Sequence, residues 1–99
     1  MPEKKVTVIA RIKAKADMEE KVKGKLLSLV TPTRSEAGCI NYDLHRSVDD
    51  KCLFVFYENW LSKEDLDKHL EMPYLKGWRE EAKDLLETPT EVTLWEMIS

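Results

Sequence analysis

The stretch from Leu53 to Trp60 is apolar at almost every position. Aromatic and β-branched residues dominate it, which is typical of a buried β-strand. Side chains in a strand alternate between its two faces. The two sets of side chains are Leu53, Val55 and Tyr57 on one face and Phe54, Phe56 and Trp60 on the other. A sheet with one face in water alternates apolar with polar residues. Since one layer of helices covers only one face, we expect a second copy of the chain to cover the other.

The pattern changes to a helical one directly after this strand. Ser62 is a suitable N-cap, and Asp65 lies at the capping-box position three residues later. This helix is predicted to reach about Met72. Pro73 marks a break, and because proline is well tolerated in a first helical turn, it is predicted to start another helix that continues to Glu87.

The rest of the chain contains three further strands and one more helix. Alternation predicts strands at Lys5–Ala14, Cys39–Ser47 and Thr90–Ile98, and the short polar link 48–51 predicts a hairpin. Asp17 and Glu20 form a capping-box pattern before an amphipathic helix that Pro32 is expected to kink or end. On the second strand, Ile40, Tyr42 and Leu44 are predicted to share one face.

The predicted order is βαββαβ, with the second helical segment broken. Two split βαβ units give an α+β fold of the ferredoxin-like type, in which a four-stranded antiparallel sheet carries helices on one face. The chain has 99 residues and no repeat or linker, which predicts a single domain over 1–99.

Composition narrows the classes of function. The chain is 42% hydrophobic and 35% charged with a net charge of −3, which is ordinary for a globular protein and argues against a nucleic-acid partner. It has no apolar run of membrane-spanning length, and the first ten residues lack the apolar core of a signal peptide. We therefore expect a cytoplasmic protein without a membrane partner.

Several spaced residues resemble the antibiotic biosynthesis monooxygenase family. The shared pattern is "E-x-G-C-x-x-Y", a hydrophobic strand ending "Y-E-x-W", then "S-x-x-x-L-x-x-H" and a proline. The matching residues are Glu36, Gly38, Cys39, Tyr42, Tyr57, Glu58, Trp60, Ser62, Leu66, His69 and Pro73. They occur in the family's order over nearly the whole chain.

The resemblance implies a homodimeric α/β barrel, with two ferredoxin-like sheets face to face and a pocket between each sheet and its helices. Relatives include oxygenases that act on quinols and polyphenols without metal, flavin or haem, haem-degrading enzymes, and an isomerase-like branch acting on a phosphorylated sugar. Many members have Pro-His where this chain has Pro73-Tyr74. The Asn, Trp and His of the haem-degrading branch align with Ala10, His69 and Arg79, which argues against haem degradation.

The first hypothesis is accordingly a cofactor-independent monooxygenase that uses molecular oxygen on a small aromatic, such as a quinol or polyphenol. Such an enzyme deprotonates its substrate, stabilises the anion and excludes water. His69 is the candidate base, and Asn59 and Trp60 are candidates for stabilising the anion. We expect these three residues to gather near the junction between the buried strand and the helix that follows it. The candidate substrate-binding residues are Tyr42, Tyr57, Tyr74 and Arg79.

Each of these residues also has a structural interpretation. His69 could satisfy a local hydrogen bond or face solvent, Trp60 and the tyrosines could be core residues, and Asn59 could end the strand. A non-oxidative binding protein or isomerase with the same pocket, and a dimeric scaffold without chemistry, are the alternative functions. No metal site is predicted, because the histidines, cysteines and acids lack metal-ligand spacing. No nucleotide cofactor is predicted, because the chain has no glycine-rich phosphate loop, and the resemblance to oxygenases that act without metal, flavin or haem implies no other cofactor.

Overall fold

The computed structural model describes residues 4–99, so residues 1–3 of the predicted domain lie outside the described part. It contains four strands and three helices in the predicted βαββαβ order, with the second helical segment split in two. The elements are β1 (Val6–Lys13), α1 (Glu19–Arg34), β2 (Cys39–Arg46), β3 (Leu53–Trp60), α2 (Lys63–Leu70), α3 (Pro73–Leu85) and β4 (Glu91–Trp95).

The four strands form one antiparallel sheet in the order β2-β3-β1-β4. This is the ferredoxin-like arrangement, so the predicted fold is confirmed. The pairing of β2 with β3 shifts between Cys39 and Asn41, which leaves Ile40 unpaired in a bulge. Ile40 is exposed whereas Tyr42 is buried, so the prediction that the two share one face is wrong. A bulge of this kind inserts one extra residue and interrupts the alternation of side chains.

The three helices cover one face of the sheet, which we call the inner face, and leave the outer face uncovered. The inner face and the helices share a single apolar core. Its main members are Val8, Ala10, Ile12, Val22, Leu26, Leu29, Phe54, Phe56, Trp60, Leu66, Leu75 and Trp78. Within residues 4–99, none of the helices combines the length and the apolar composition that a membrane crossing requires.

The start of α1 differs from the predicted capping box. Asp17 has φ 70°, in the left-handed region that Asp tolerates better than most residues, and Met18 is the N-cap without a side-chain hydrogen bond. The carboxylate of Glu20 instead pairs with Arg46 at 2.8 Å. The prediction of a box made by Asp17 and Glu20 is therefore wrong, because the turn after β1 uses Asp17 for its backbone conformation.

The helix cap at Ser62 and the positions of the two helical prolines agree with the predictions from the sequence. The Ser62 hydroxyl accepts a hydrogen bond from the Asp65 backbone N–H at 3.1 Å, as predicted, and Pro73 lies in the first turn of α3. Pro32 lies inside α1, which continues to Arg34. The last strand is shorter than the predicted Thr90–Ile98, because its pairing with β1 ends where Trp95 meets Thr7.

Candidate functional site

A cavity of about 620 Å³ lies between the inner face of the sheet and the helices, and we call it the inner cavity. Its volume falls in the range of about 300–1,000 Å³ that is typical of small-molecule sites. Tyr42 and Phe56 form part of its wall and stack with their ring centroids 4.3 Å apart. Other apolar lining residues are Val8, Ala10, Ile12, Leu66, Leu75 and Trp78. The cavity is therefore suited to a flat, largely apolar molecule.

His69 of α2 reaches the wall of the inner cavity from the helical side. Its side chain is buried, and Nδ1 lies 2.8 Å from Oε2 of Glu36, in the turn between α1 and β2. The Tyr74 hydroxyl donates to the same carboxylate oxygen. The imidazole is thus fixed by a carboxylate that a second donor holds in place.

This hydrogen bond determines which nitrogen of His69 is available. A carboxylate only accepts, so Nδ1 carries the proton of the neutral ring and Nε2 is the proton acceptor. Among residues 4–99 no side chain bonds Nε2, and no buried side-chain nitrogen there is left without a partner, so Nε2 borders the open cavity. Burial lowers the pKa of His69, and Glu36 partly opposes this shift. The ring is neutral at physiological pH and able to accept a proton.

The turn that carries Glu36 is held by backbone hydrogen bonds on both sides. The Glu36 N–H donates to the Thr33 carbonyl, and the Glu36 carbonyl accepts from the Cys39 N–H at 3.1 Å. Gly38 in the same turn lies against Asp65 of α2, and its carbonyl accepts from the Leu61 N–H at 2.9 Å. Close contact at Gly38 therefore fixes the distance between the turn and the helix that bears His69.

We expect Gly38→Ala to lower the free energy of unfolding by about 1–3 kcal/mol, the usual cost of overpacking. The new methyl group would overlap Cβ and Cγ of Asp65, so α2 or the turn has to move. Gly24→Ala is the matched control: nothing lies within 4 Å of the added methyl, and the helix interior of α1 favours alanine by about 0.5–1 kcal/mol. Urea unfolding of both variants measures the difference. Equal effects would contradict the close contact at Gly38.

A second titratable group, Glu58 of β3, lies in the wall of the same cavity. Its side chain points to the inner face, and Oε1 accepts a hydrogen bond from the Trp60 indole N–H at 2.9 Å. Burial raises the pKa of Glu58 to about 7, and the Trp60 N–H limits that rise. The Trp60 ring lies 4.6 Å from the His69 ring between centroids, so both groups belong to one cluster.

Three of the predicted site residues line the inner cavity: His69, Tyr42 and Arg79. Arg79 also donates to the Leu70 carbonyl at 2.7 Å, which anchors it near the end of α2. Trp60 and Tyr74 lie behind the wall, where they bond Glu58 and Glu36 respectively. Burial and the nearby Glu36 carboxylate raise the pKa of Tyr74 to about 12. The functional roles of these five residues stay predictions.

The remaining two predicted site residues lie on the outer face of the sheet. The Asn59 side chain accepts from Thr7 at 2.5 Å and donates to Asn41 at 2.9 Å, away from the inner cavity. Tyr57 is 41% exposed on that same face. The expectation that Asn59 gathers with Trp60 and His69 is wrong, because adjacent residues of a strand point to opposite faces.

Sequence reasoning missed the two carboxyl groups of the cluster. Glu36 and Glu58 both belong to the family pattern, but the sequence pattern alone gives neither of them a role. The signal for Glu58 is the alternation itself, which places a carboxyl between Phe56 and Trp60 on the apolar face. A charged residue at such a position is rarely buried without a function or a partner. Glu36 has no comparable local signal, since its contact with His69 joins residues 33 positions apart.

The described residues offer no evident metal site. Within 4–99, no group of three or more His, Cys, Asp or Glu side chains is arranged to hold an ion. The titratable side chains that line the inner cavity are those of Tyr42, Glu58, His69, Arg79, Lys83 and Glu87. Their chemistry is proton transfer and charge pairing.

The sequence matches one protein family over most of its length. A sequence model described as antibiotic biosynthesis monooxygenase matches residues 5–81. The "Putative monooxygenase Rv0793" of Mycobacterium tuberculosis is 37% identical over 89 residues, covering 90% of this chain and 87% of that protein. The uncharacterized protein sll1783 of Synechocystis is 32% identical over 92 residues, which cover 93% of this chain but only 63% of the length of that relative.

Solved structures have the same fold. The crystal structure of PA3566 from Pseudomonas aeruginosa superposes with a TM-score of 0.94 at 28% identity, covering 100% of this chain and 99% of that one. The structure of Rv0793 superposes with a TM-score of 0.90 at 34% identity, covering 96% of each chain.

Proposed function

Because the chain belongs to the antibiotic biosynthesis monooxygenase family, we propose that it is a monooxygenase that oxidises a small phenolic aromatic, a quinol or a polyphenol, without metal, flavin or haem. The observation that carries the proposal is the His69 imidazole in the wall of an apolar cavity, with Nδ1 held by Glu36. This geometry is that of a general base directed at a bound ring.

The chemistry begins with deprotonation of the substrate. Triplet oxygen reacts slowly with closed-shell molecules, but a phenolate is electron-rich enough to reduce it by one electron. Nε2 of His69 takes the phenolic proton, and the phenolate then gives an electron to oxygen. The phenoxyl radical and superoxide combine to form a carbon–oxygen bond, and the resulting peroxide anion takes the proton back from His69. A dry, aromatic wall such as that of Phe56 and Tyr42 excludes water from these intermediates.

The overall reaction needs no other reductant. For a phenol or quinol with a free ring carbon ortho or para to the ionised oxygen, substrate and O₂ give a quinone with one added oxygen atom, and water. The substrate supplies all four electrons, one oxygen atom enters the product, and the other leaves as water. The ring loses one proton from oxygen and one from carbon, and the water gains two.

Oxygen uptake by metal-free protein in the presence of chelator, with a panel of quinols and polyphenols, tests the proposal. With ¹⁸O₂ we expect one labelled atom in the product and one in water. Hydrogen peroxide as the sole product would indicate a two-electron oxidase instead. Binding of panel members without oxygen uptake would favour the alternative of a non-oxidative binding protein or isomerase.

We also propose that two copies of the chain associate through the outer face of the sheet. This face carries apolar side chains that the three helices leave uncovered, among them Val55, Tyr57 and Trp95, of which Trp95 is 55% exposed. Exposed apolar clusters of this kind commonly mark protein interfaces. The sheet-to-sheet association expected from β3 would cover them.

Sedimentation at micromolar concentration should therefore give twice the chain mass of 11.6 kDa. Tyr57→Lys should shift the protein to monomer, because the interface would bury an unpaired charge. Leu27→Lys is the control, since Leu27 is exposed on α1, far from the outer face, and should leave the dimer intact. A monomeric wild type would contradict the proposed assembly.

A further inference from the structure

Glu58 is a carboxyl buried at an otherwise apolar position of the sheet. Its side chain is 4% exposed, it lies in the centre of the sheet opposite Val8 and Tyr42, and its neighbours along the inner face of β3 are apolar. Burying a carboxyl in such surroundings is unfavourable unless it is paired or protonated. The amide oxygen of a glutamine could also accept from the Trp60 indole, so this hydrogen bond alone does not require a carboxyl.

Only one of the two carboxyl oxygens of Glu58 has a hydrogen-bond partner among residues 4–99. Oε1 accepts from the Trp60 indole at 2.9 Å, and no side chain or backbone group among residues 4–99 bonds Oε2. Since none of the buried side-chain oxygens in that range lacks a partner, Oε2 must be accessible from the inner cavity that Glu58 lines. A carboxyl oxygen that faces a ligand cavity can give or take a proton there.

The charges around Glu58 favour its protonated form. The titratable groups on the surrounding elements are Tyr42 of β2, Glu36 of the turn after α1, His69 of α2, Arg79 and Lys83 of α3, and Glu87 after α3. Among these groups, the Glu36 carboxylate raises the pKa of Glu58, because it disfavours a second negative charge nearby. Burial acts in the same direction, and the pKa of Glu58 rises to about 7. Burial shifts the pKa of the neighbouring His69 the opposite way.

We propose that Glu58 is the general acid of the second half of the oxidation, and that it protonates the departing oxygen as the O–O bond breaks. The inference rests on the proposed function. A base and an acid in one site, with environments that favour a neutral imidazole and a neutral carboxyl, are the pair that such a reaction needs.

The step balances as follows. Oxygen addition and return of the first proton leave a hydroperoxide on a ring carbon that still bears hydrogen. His69 takes that hydrogen as a proton, the electron pair of the C–H bond forms the second bond of the new carbonyl, and the O–O bond breaks. The leaving hydroxide takes the proton of Glu58 and departs as water. Transfer of a proton from His69 to Glu58 through solvent restores both groups.

Glu58→Gln tests this role, because glutamine keeps the shape and an acceptor for Trp60 but carries no acidic proton. In a single turnover followed by rapid quench and mass spectrometry, we expect oxygen addition at the wild-type rate. Product formation should be slowed by about 10²-fold, the usual scale for loss of a general acid. A species with the mass of substrate plus two oxygen atoms should accumulate. Glu64→Gln, at an exposed position of α2, is the matched control and should behave as wild type.

The pH dependence of product formation distinguishes an acid role of Glu58 from a purely structural one, because a structural role would not alter it. Product formation by wild type should fall as pH rises through the pKa of Glu58, and Glu58→Gln should lose this basic limb. Trp60→Phe removes the N–H that stabilises the ionised carboxylate, so it should move the limb to higher pH. If the wild type oxidises a substrate, and Glu58→Gln forms product at the same rate with the same basic limb, the role of Glu58 is overturned while the proposed function stands. A wild type that oxidises no member of the panel would overturn the proposed function together with it.

Discussion

We expect His69→Ala to lower kcat on an oxidised quinol by about 10²-fold or more, the usual scale for removal of a general base. The step that the site must accelerate is formation of the phenolate near neutral pH, and His69 is the group that the geometry directs at it. The residual rate of the variant should rise with pH, because the substrate then ionises without help. Steady-state oxygen uptake between pH 6 and 9 measures both effects.

Glu36→Gln is the companion variant to His69→Ala. It keeps an acceptor for the Tyr74 hydroxyl but removes the charge that favours protonated His69, so the pKa of His69 should fall further. The base must be neutral to act, and the acid limb of kcat/KM should therefore move to lower pH. Wild-type turnover by His69→Ala on an oxidised substrate would contradict the assignment of the base.

The strands and helices could be predicted from the sequence where a local pattern decides them. Leu53–Trp60 can be recognised because its aromatic and branched residues are typical of a buried strand. The cap at Ser62 and the helix start at Pro73 depend on the chemistry of single residues, and both occur as predicted. The antiparallel sheet then follows from the βαββαβ order by general rules of connection.

The differences arise where tertiary contacts or backbone detail decide. Asp17 has the sequence of a cap but adopts a left-handed conformation that the β1–α1 turn requires. Ile40 fits the alternation of β2 but falls in a bulge that no local pattern indicates. The end of β4 depends on how far β1 extends beside it.

Only part of the site can be predicted from the sequence, because tertiary contacts decide the rest. His69 could be recognised as a candidate from its type and its place after a buried strand. Its partner Glu36 could not, because the two meet only when the turn after α1 packs against α2. Asn59 is next to Trp60 in the sequence, but alternation along β3 directs its side chain to the outer face. Counting faces on β3 separates Asn59 from Glu58 and assigns the carboxyl to the cavity.

The largest expected loss of stability is for Phe56→Ala, which should lower the free energy of unfolding by about 3–5 kcal/mol. Phe56 is 2% exposed at the middle of β3, between Ala10 of β1 and Leu44 of β2, and its ring stacks on Tyr42. Truncation removes this contact and leaves a void beside the inner cavity. Because the neighbouring strands are joined through β3, they cannot close around it.

Denaturant unfolding of Phe56→Ala measures this loss, and Val48→Ala is the control for truncation of an apolar side chain at an exposed position. Val48 is 98% exposed in the hairpin loop, and its truncation should change the free energy of unfolding by no more than about 0.5 kcal/mol. A shift of the midpoint without a change in slope would show that stability alone has changed. A loss below about 1 kcal/mol for Phe56→Ala would mean that the site can collapse, and hence that the sheet around β3 is less rigid than its packing indicates.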